Sequence, residues 1–226
     1  MRFTTLITAA AIGFFAAGAN AATVTFDLQG SDRGNYDSLP SSFSMTQGSL
    51  TGNFDAKSFS KVSGRNGKIT SGTVVDGRIG RYYGGAGVLN SRGDGSHTVD
   101  GNGWDDFIQI SFTQSVLIKS ISFGYYDAWD YFRILTDASG DGAIGVGDSY
   151  SAAYQLFNHN PFTGFAGLRT NVFAVASFGN KDSWKLKSVT VEYDDPNGGV
   201  VPLPAAGWLM LGALGGLGAL RRRKKA

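Results

Sequence analysis

Phe107-Ile108-Gln109-Ile110-Ser111-Phe112, followed after three residues by Val116-Leu117-Ile118-Lys119-Ser120-Ile121-Ser122-Phe123-Gly124-Tyr125, is the stretch that decides the fold class. The first run sets Ile108, Ile110 and Phe112 on one side against Gln109 and Ser111 on the other. The second aligns Leu117, Ile121, Phe123 and Tyr125 on a face that Lys119 interrupts. A period of two belongs to half-buried strands. Working outward, Thr23 to Leu28 places Val24, Phe26 and Leu28 together, and Lys187 to Tyr193 does the same for Val189, Val191 and Tyr193. Weaker strand signals lie at Ser49–Phe54, Gly77–Tyr83, Tyr131–Thr136 and Val172–Phe178. No amphipathic helix of ordinary length stands out. Tyr150 to Phe157 is a short candidate, with Tyr150, Ala153, Tyr154 and Phe157 on one side.

Short strands joined by Gly/Asp/Asn/Ser clusters predict an all-β body over residues 23–195, arranged as a two-sheet antiparallel sandwich of jelly-roll-like form. The 17 Asp among 18 acids agree, because Asp serves turns while Glu serves helices. The 33 Gly alone would suit disorder, but aromatics at 13% supply a core. Cysteine is absent, so core packing or bound metal must hold the body.

The ends carry targeting signals. Arg2, the apolar run Leu6–Ala17 and Ala19-Asn20-Ala21 read as a signal peptide over residues 1–22, cut by signal peptidase after Ala21 or Ala22. Asp195-Pro196-Asn197-Gly198-Gly199 closes the body and opens a linker at 196–201. Beyond Pro202 and Pro204 the chain is uncharged from Ala205 to Leu220, then reads Arg221-Arg222-Arg223-Lys224-Lys225. A helix from Leu203 to Leu220 would be about 27 Å long. That is near the short limit for a membrane span, and the five cations would act as a stop-transfer signal that keeps the C-terminus in the cytoplasm. Without Arg2 and those five cations the basic residues fall from 20 to 14 against 18 acids, so the remainder carries about −4 rather than the formal +2. A nucleic-acid partner loses its electrostatic footprint.

Val201-Pro202-Leu203-Pro204-Ala205-Ala206-Gly207-Trp208-Leu209, the apolar run and the basic tail resemble the VPLPA variant of the PEP-CTERM sorting signal. The resemblance covers about the last 26 residues. It implies an inner-membrane-anchored precursor, handed to an exosortase in a Gram-negative bacterium that makes exopolysaccharide. Cleavage would fall near Val201, Pro202, Leu203, Pro204 and Ala205, with delivery to the cell surface or extracellular matrix. The commoner Pro-Glu-Pro form is not present. Gly87-Val88-Leu89, His97-Thr98-Val99-Asp100, Asp106-Phe107-Ile108 and Ile121-Ser122-Phe123 with Asp127 resemble, more diffusely, the jelly-roll-shaped ectodomains of such proteins. That implies a binding-module fold without assigned activity.

Three groups of residues suggest chemistry in the body. Asp137-Ala138-Ser139-Gly140-Asp141-Gly142-Ala143-Ile144-Gly145-Val146-Gly147-Asp148 fits a calcium loop, with side-chain oxygen from Asp137, Ser139, Asp141 and Asp148 and the Ala143 carbonyl. A plain Gly/Asp connection between strands reads equally well. Trp104, Tyr126 and Trp129, with Asp127 and Asp130, could stack and hydrogen-bond sugar rings of an exopolysaccharide, although strand alternation would send part of any aromatic group inward. Asp94, Asp100, Asp105 and Asp106 suit calcium, the hydroxyls of a sugar, or Asx turns and strand-end punctuation, and Arg92-Gly93-Asp94 suits a turn.

Catalytic signatures are sparse. His97 and His159 lack metal-ligand spacing, and no nucleophile elbow is present. The sequence therefore points to a non-catalytic module. A secreted polysaccharide-active hydrolase, working through two Asp carboxylates, is the alternative.

Overall fold

A strand with both faces buried must be apolar at nearly every position, and strands of that kind form the centre of this protein. The computed structural model describes residues 20–179 and 181–196, of which Ala21–Asp195 forms one compact unit. The expected signal helix up to residue 19, the sorting segment Val201–Ala205, the membrane helix at 204–220 and the cations at 221–225 lie outside the described residues. In chain order the strands are β1 (Asn20–Asp27), β2 (Ser42–Gln47), β3 (Leu50–Arg65), β4 (Lys68–Asp76), β5 (Arg78–Tyr82), β6 (Gly85–Leu89) and β7 (Val99–Asp100). They continue with β8 (Asp105–Gly124), β9 (Tyr131–Thr136), β10 (Ser149–Tyr150), β11 (Tyr154–Gln155), β12 (Arg169–Ala176) and β13 (Ser183–Asp195). The fold is all-β; among the described residues the helical content is one 3₁₀ turn, Leu156–Asn158.

Hydrogen-bonded neighbours run β2-β3-β4-β10-β9-β12-β8-β13-β6-β5, and β3 also pairs with β8. The second pairing closes β3, β4, β10, β9, β12 and β8 into a barrel-like ring, to which the other strands are added. β8 makes this possible by its length of 20 residues. Its first part pairs antiparallel with β3, from Asp105 opposite Phe59 to Phe112 opposite Gly52, and with β12 on the other side. Its second part, Val116–Gly124, pairs with β13 from Tyr193 back to Lys185.

Two hydrophobic clusters follow from alternation on these shared strands. Ile108, Ile110 and Phe112 of β8 and Phe173 and Val175 of β12 face the larger cluster, which also takes Phe26, Phe54, Phe132, Trp184 and Val189. The intervening residues Phe107, Val172, Ala174 and Ala176 face a smaller one, with Phe59 of β3, Ile69 of β4, Leu135 of β9 and Ile144. Tyr150 of β10 packs against it, so every strand of the ring contributes to its filling.

The sequence expectation for β8 needs one correction. Leu117 is only half-buried and Tyr125 is 69% exposed, whereas Val116, Ile118, Ile121 and Phe123 are buried. The register explains this: Val191 faces Ile118 and Thr190 faces Ser120, leaving Lys119 unmatched. One extra residue reverses the alternation, so the buried phase before the bulge differs from the phase after it. The short helix expected at Tyr150–Phe157 is also replaced. Tyr150 pairs with Leu135, Tyr154 with Phe132, and only Leu156–Asn158 turns. At the other end of the body, β1 begins at Asn20, so the expected signal-peptidase cut would fall within this strand.

Candidate functional site

Between β8 and β9 the chain must reverse, and it does so through residues 125–130, which combine aromatics and carboxylates. Tyr125 opens the loop at φ +50°, a left-handed conformation that turns its ring away from the preceding strand's alternation. Trp129 is 75% exposed and Tyr126 sits at the edge of exposure. Asp127 Oδ1 accepts from the Trp129 N–H at 2.7 Å, which fixes the turn that presents the indole.

Asp130 does different work from that expected of it. It is buried, and its two oxygens accept backbone N–H groups from Asp127 (2.6 Å) and Ser183 (2.8 Å). Burial raises its pKa, partly offset by those hydrogen bonds, with the Asp127 charge pushing the same way as burial. Asp130 is therefore a clamp under the loop, buried where the sequence suggested a surface group. Asp182 is a second clamp, also buried, with Oδ1 accepting from the Tyr131 N–H at 3.0 Å. The fully buried Trp184 donates its Nε1–H to the Tyr131 carbonyl at 3.0 Å. Sequence reading missed both Asp182 and Trp184. An isolated aspartate just before an apolar strand was the available signal.

Trp104 precedes β8 in a different loop and is 38% exposed. Its neighbour Asp105 has a pKa pushed up to about 6, by burial and then by the Asp182 charge. Asp182 is likewise raised to about 6 by burial, with a contribution from the Asp130 charge. The Trp104 loop and the 125–130 loop thus meet the same set of clamping carboxylates. Asp105 lines a pocket of about 220 Å³ with Arg133, Tyr150 and Phe178. There the Arg133 guanidinium lies over the Tyr150 and Phe178 rings, and no second carboxylate lines that pocket among the described residues.

The remaining expected acids are engaged by neighbouring polar groups of the protein. Asp94 accepts from the Asn90 and Ser96 N–H groups, so Arg92-Gly93-Asp94 is part of a turn. Asp100 accepts from the Ser96 and Thr98 hydroxyls and the Asn102 N–H. Asp106 is fully buried and bound by Ser58 and Asn90 through one oxygen; burial raises its pKa well above the ordinary range.

The loop Asp137–Asp148 is closed by backbone donors. Asp148 is buried and accepts from the N–H groups of Ala138, Ser139 and Gly145 at 2.8 to 2.9 Å. Asp137 accepts from Gly140 and Gly142 N–H and from the Ser139 hydroxyl; burial pushes its pKa up, but these bonds together outweigh that and hold it below the usual range. Asp141 accepts from the Ala143 N–H, leaving the Ala143 carbonyl outside this bonding. Ile144 turns inward and enters the ring core. Among the described residues no group of three or more His, Cys, Asp or Glu side chains is gathered around one metal position. In this arrangement the inward Asp148 carboxylate serves the loop's own N–H groups, and a calcium ion would have to compete with them for it.

Among the described residues no helix is long and apolar enough to cross a membrane. No protein-family model matches the chain, and no match is found among the curated proteins or the solved structures.

Proposed function

We propose that this protein is exported, processed by an exosortase, and displayed at the cell surface or in the extracellular matrix. Its body would act there as a non-catalytic binding or structural module on exopolysaccharide. The observation that carries the reading is the order of three features in residues 201–225: a Val-Pro-Leu-Pro-Ala segment, an uncharged run and five consecutive cations. An uncharged helix capped by cations stops in a bilayer with its basic end inside. The finer fold in this proposal is a jelly-roll-like sandwich, supported by the change of partners along β8, from β3 in its first part to β13 in its second.

Support for binding over hydrolysis comes from the use made of the acids. Hydrolysis of a glycosidic bond needs two carboxylates facing one cleft, about 5 to 9.5 Å apart. Here Asp130 and Asp182 hold backbone under the aromatic loop, while Trp129, Tyr126 and Trp104 face outward with Asp127. Calcium enters the proposal at one place, held by Asp137, Ser139, Asp141, Asp148 and the Ala143 carbonyl, where it would further stiffen the loop.

Expression in an exopolysaccharide-producing strain with an exosortase, and in the same strain lacking it, tests the reading. Inner-membrane retention without the protease and surface recovery with it is the expected result. Freely soluble cytosolic protein in both strains would end the proposal.

A further inference from the structure

Lys185, on β13, is the one described lysine buried to 7% exposure. Its Nζ makes no hydrogen bond or ion pair among the described residues. It lies over two aromatic rings instead, 5.1 Å from the Tyr82 centroid and 4.4 Å from that of Tyr125. Tyr82 contributes a second unmatched donor, because its Oη is buried without a hydrogen-bond partner. Tyr82 and Lys185 are both lining residues of a cleft of about 470 Å³ between the β5–β6 hairpin and the end of β8. Tyr83, at the hairpin tip, is 90% exposed at its rim, and the exposed Lys187 adds a second cation. Gln29 fastens the rim by donating to the Tyr83 carbonyl.

A buried ammonium without a counter-charge is costly, and ring faces offset only part of that cost. Burial lowers the Lys185 pKa to about 8. An anion placed in the cleft would restore what burial removes. The Lys185 ammonium can only donate, so the partner it lacks is an acceptor with negative charge. Lysine as a point charge serves carboxylate and phosphate alike, so the rings beside it set the preference. This cleft offers point-charge lysines between flat rings, which suits a carboxylate attached to a ring that can stack.

We propose that this cleft binds a carboxylated sugar, a uronate unit, with its carboxylate at Lys185 and its ring against Tyr125 or Tyr83. The choice of a sugar rests on the reading of the body as an exopolysaccharide module. Tyr125 adjoins Tyr126, so the cleft continues the aromatic loop into a charged subsite.

The test is calorimetric titration of the purified full chain in a nonionic detergent. The probes are trigalacturonate, its fully methyl-esterified form and inorganic phosphate. Trigalacturonate should bind, with the ester at least about tenfold weaker, and Lys185→Met should lose about tenfold or more. Equal binding of acid and ester, phosphate binding as tightly as the trisaccharide, an unaffected Lys185→Met, or no binding would each overturn the proposal. If Lys185→Met does not fold, the ester comparison on the unaltered chain and Tyr125→Ala, which removes an exposed ring, decide the matter. Because the purified chain is used, this outcome is independent of export and sorting, which can fail or succeed separately.

Discussion

The backbone N–H of Ile144 donates to Gln109 Oε1 at 2.9 Å, and both residues are buried. A polar side chain on the inner face of the ring thus ties the Gly/Asp loop to the core, with the Ile144 side chain entering the apolar filling. Gln109→Leu should strand that N–H and destabilise the protein by about 1–3 kcal/mol. Ile144→Ala should cost about 2–5 kcal/mol through the cavity it leaves. Urea unfolding of both variants checks this; a cost under half a kcal/mol for each would show the loop to be undocked.

Asp130 and Asp127 sit in one loop and should behave oppositely to a simple charge argument. Asp130→Ala removes the acceptor for two backbone N–H groups in a buried place and should cost about 1–3 kcal/mol. Asp127→Ala removes one exposed acceptor and should cost about 1 kcal/mol or less. Equal losses in chemical denaturation would contradict the clamp.

The pH dependence follows from Asp105 and Asp182, both raised to about 6 against an ordinary carboxyl near 4. The folded state then binds protons more tightly than the unfolded one. Their contribution is fully present below about pH 4 and is lost as pH rises through about 6. Melting temperature should fall by several degrees from pH 5 to pH 7.5, and Asp105→Asn should flatten the fall and raise the value at pH 7.5. Lys185, lowered to about 8, acts above this range, and Asp137, lowered, acts below it. A melting temperature that rises with pH between 5 and 7.5 would refute the assignment.

Trp129 should matter for contact and not for folding. At 75% exposure its removal in Trp129→Ala should change stability by no more than about 0.5 kcal/mol while reducing retention on an exopolysaccharide affinity gel. Unchanged retention would remove this side chain from the proposed surface.

Melting with calcium and then with a chelator tests the loop at Asp137–Asp148. A bound ion raises the midpoint by mass action, by roughly 2.7 kcal/mol at a hundredfold excess over Kd. Superimposable curves would leave the backbone N–H groups and Ile144 as the whole account of its closure.

The all-β character was legible because alternation in β1, β8, β9 and β13 is local. The closure of the ring was not, since the pairing of β3 with β8 joins residues some fifty apart and leaves no local trace. Lys119 was visible as an interruption, but whether a lone lysine on an apolar face marks a bulge or a snorkelling side chain depends on the partner strand. The hairpin from β3 to β4 has a readable sign in the dipeptide Asn66-Gly67, and both residues take the positive φ that a type I′ turn requires. For the candidate site, sequence named the aromatic loop but could not separate Asp127, which faces water, from Asp130, which holds backbone. Lys185 gave no sign at all, because its unmatched charge exists only once Tyr82 and Tyr125 are folded around it.

The most direct measurement of the central claim is the intact mass of the protein recovered from the surface of cells that carry an exosortase. Export and sorting predict a product that begins at Ala22 or Thr23 and ends near Val201–Ala205, without the basic tail. A mass corresponding to the unbroken chain from Met1 to Ala226 in the soluble cell contents would contradict it.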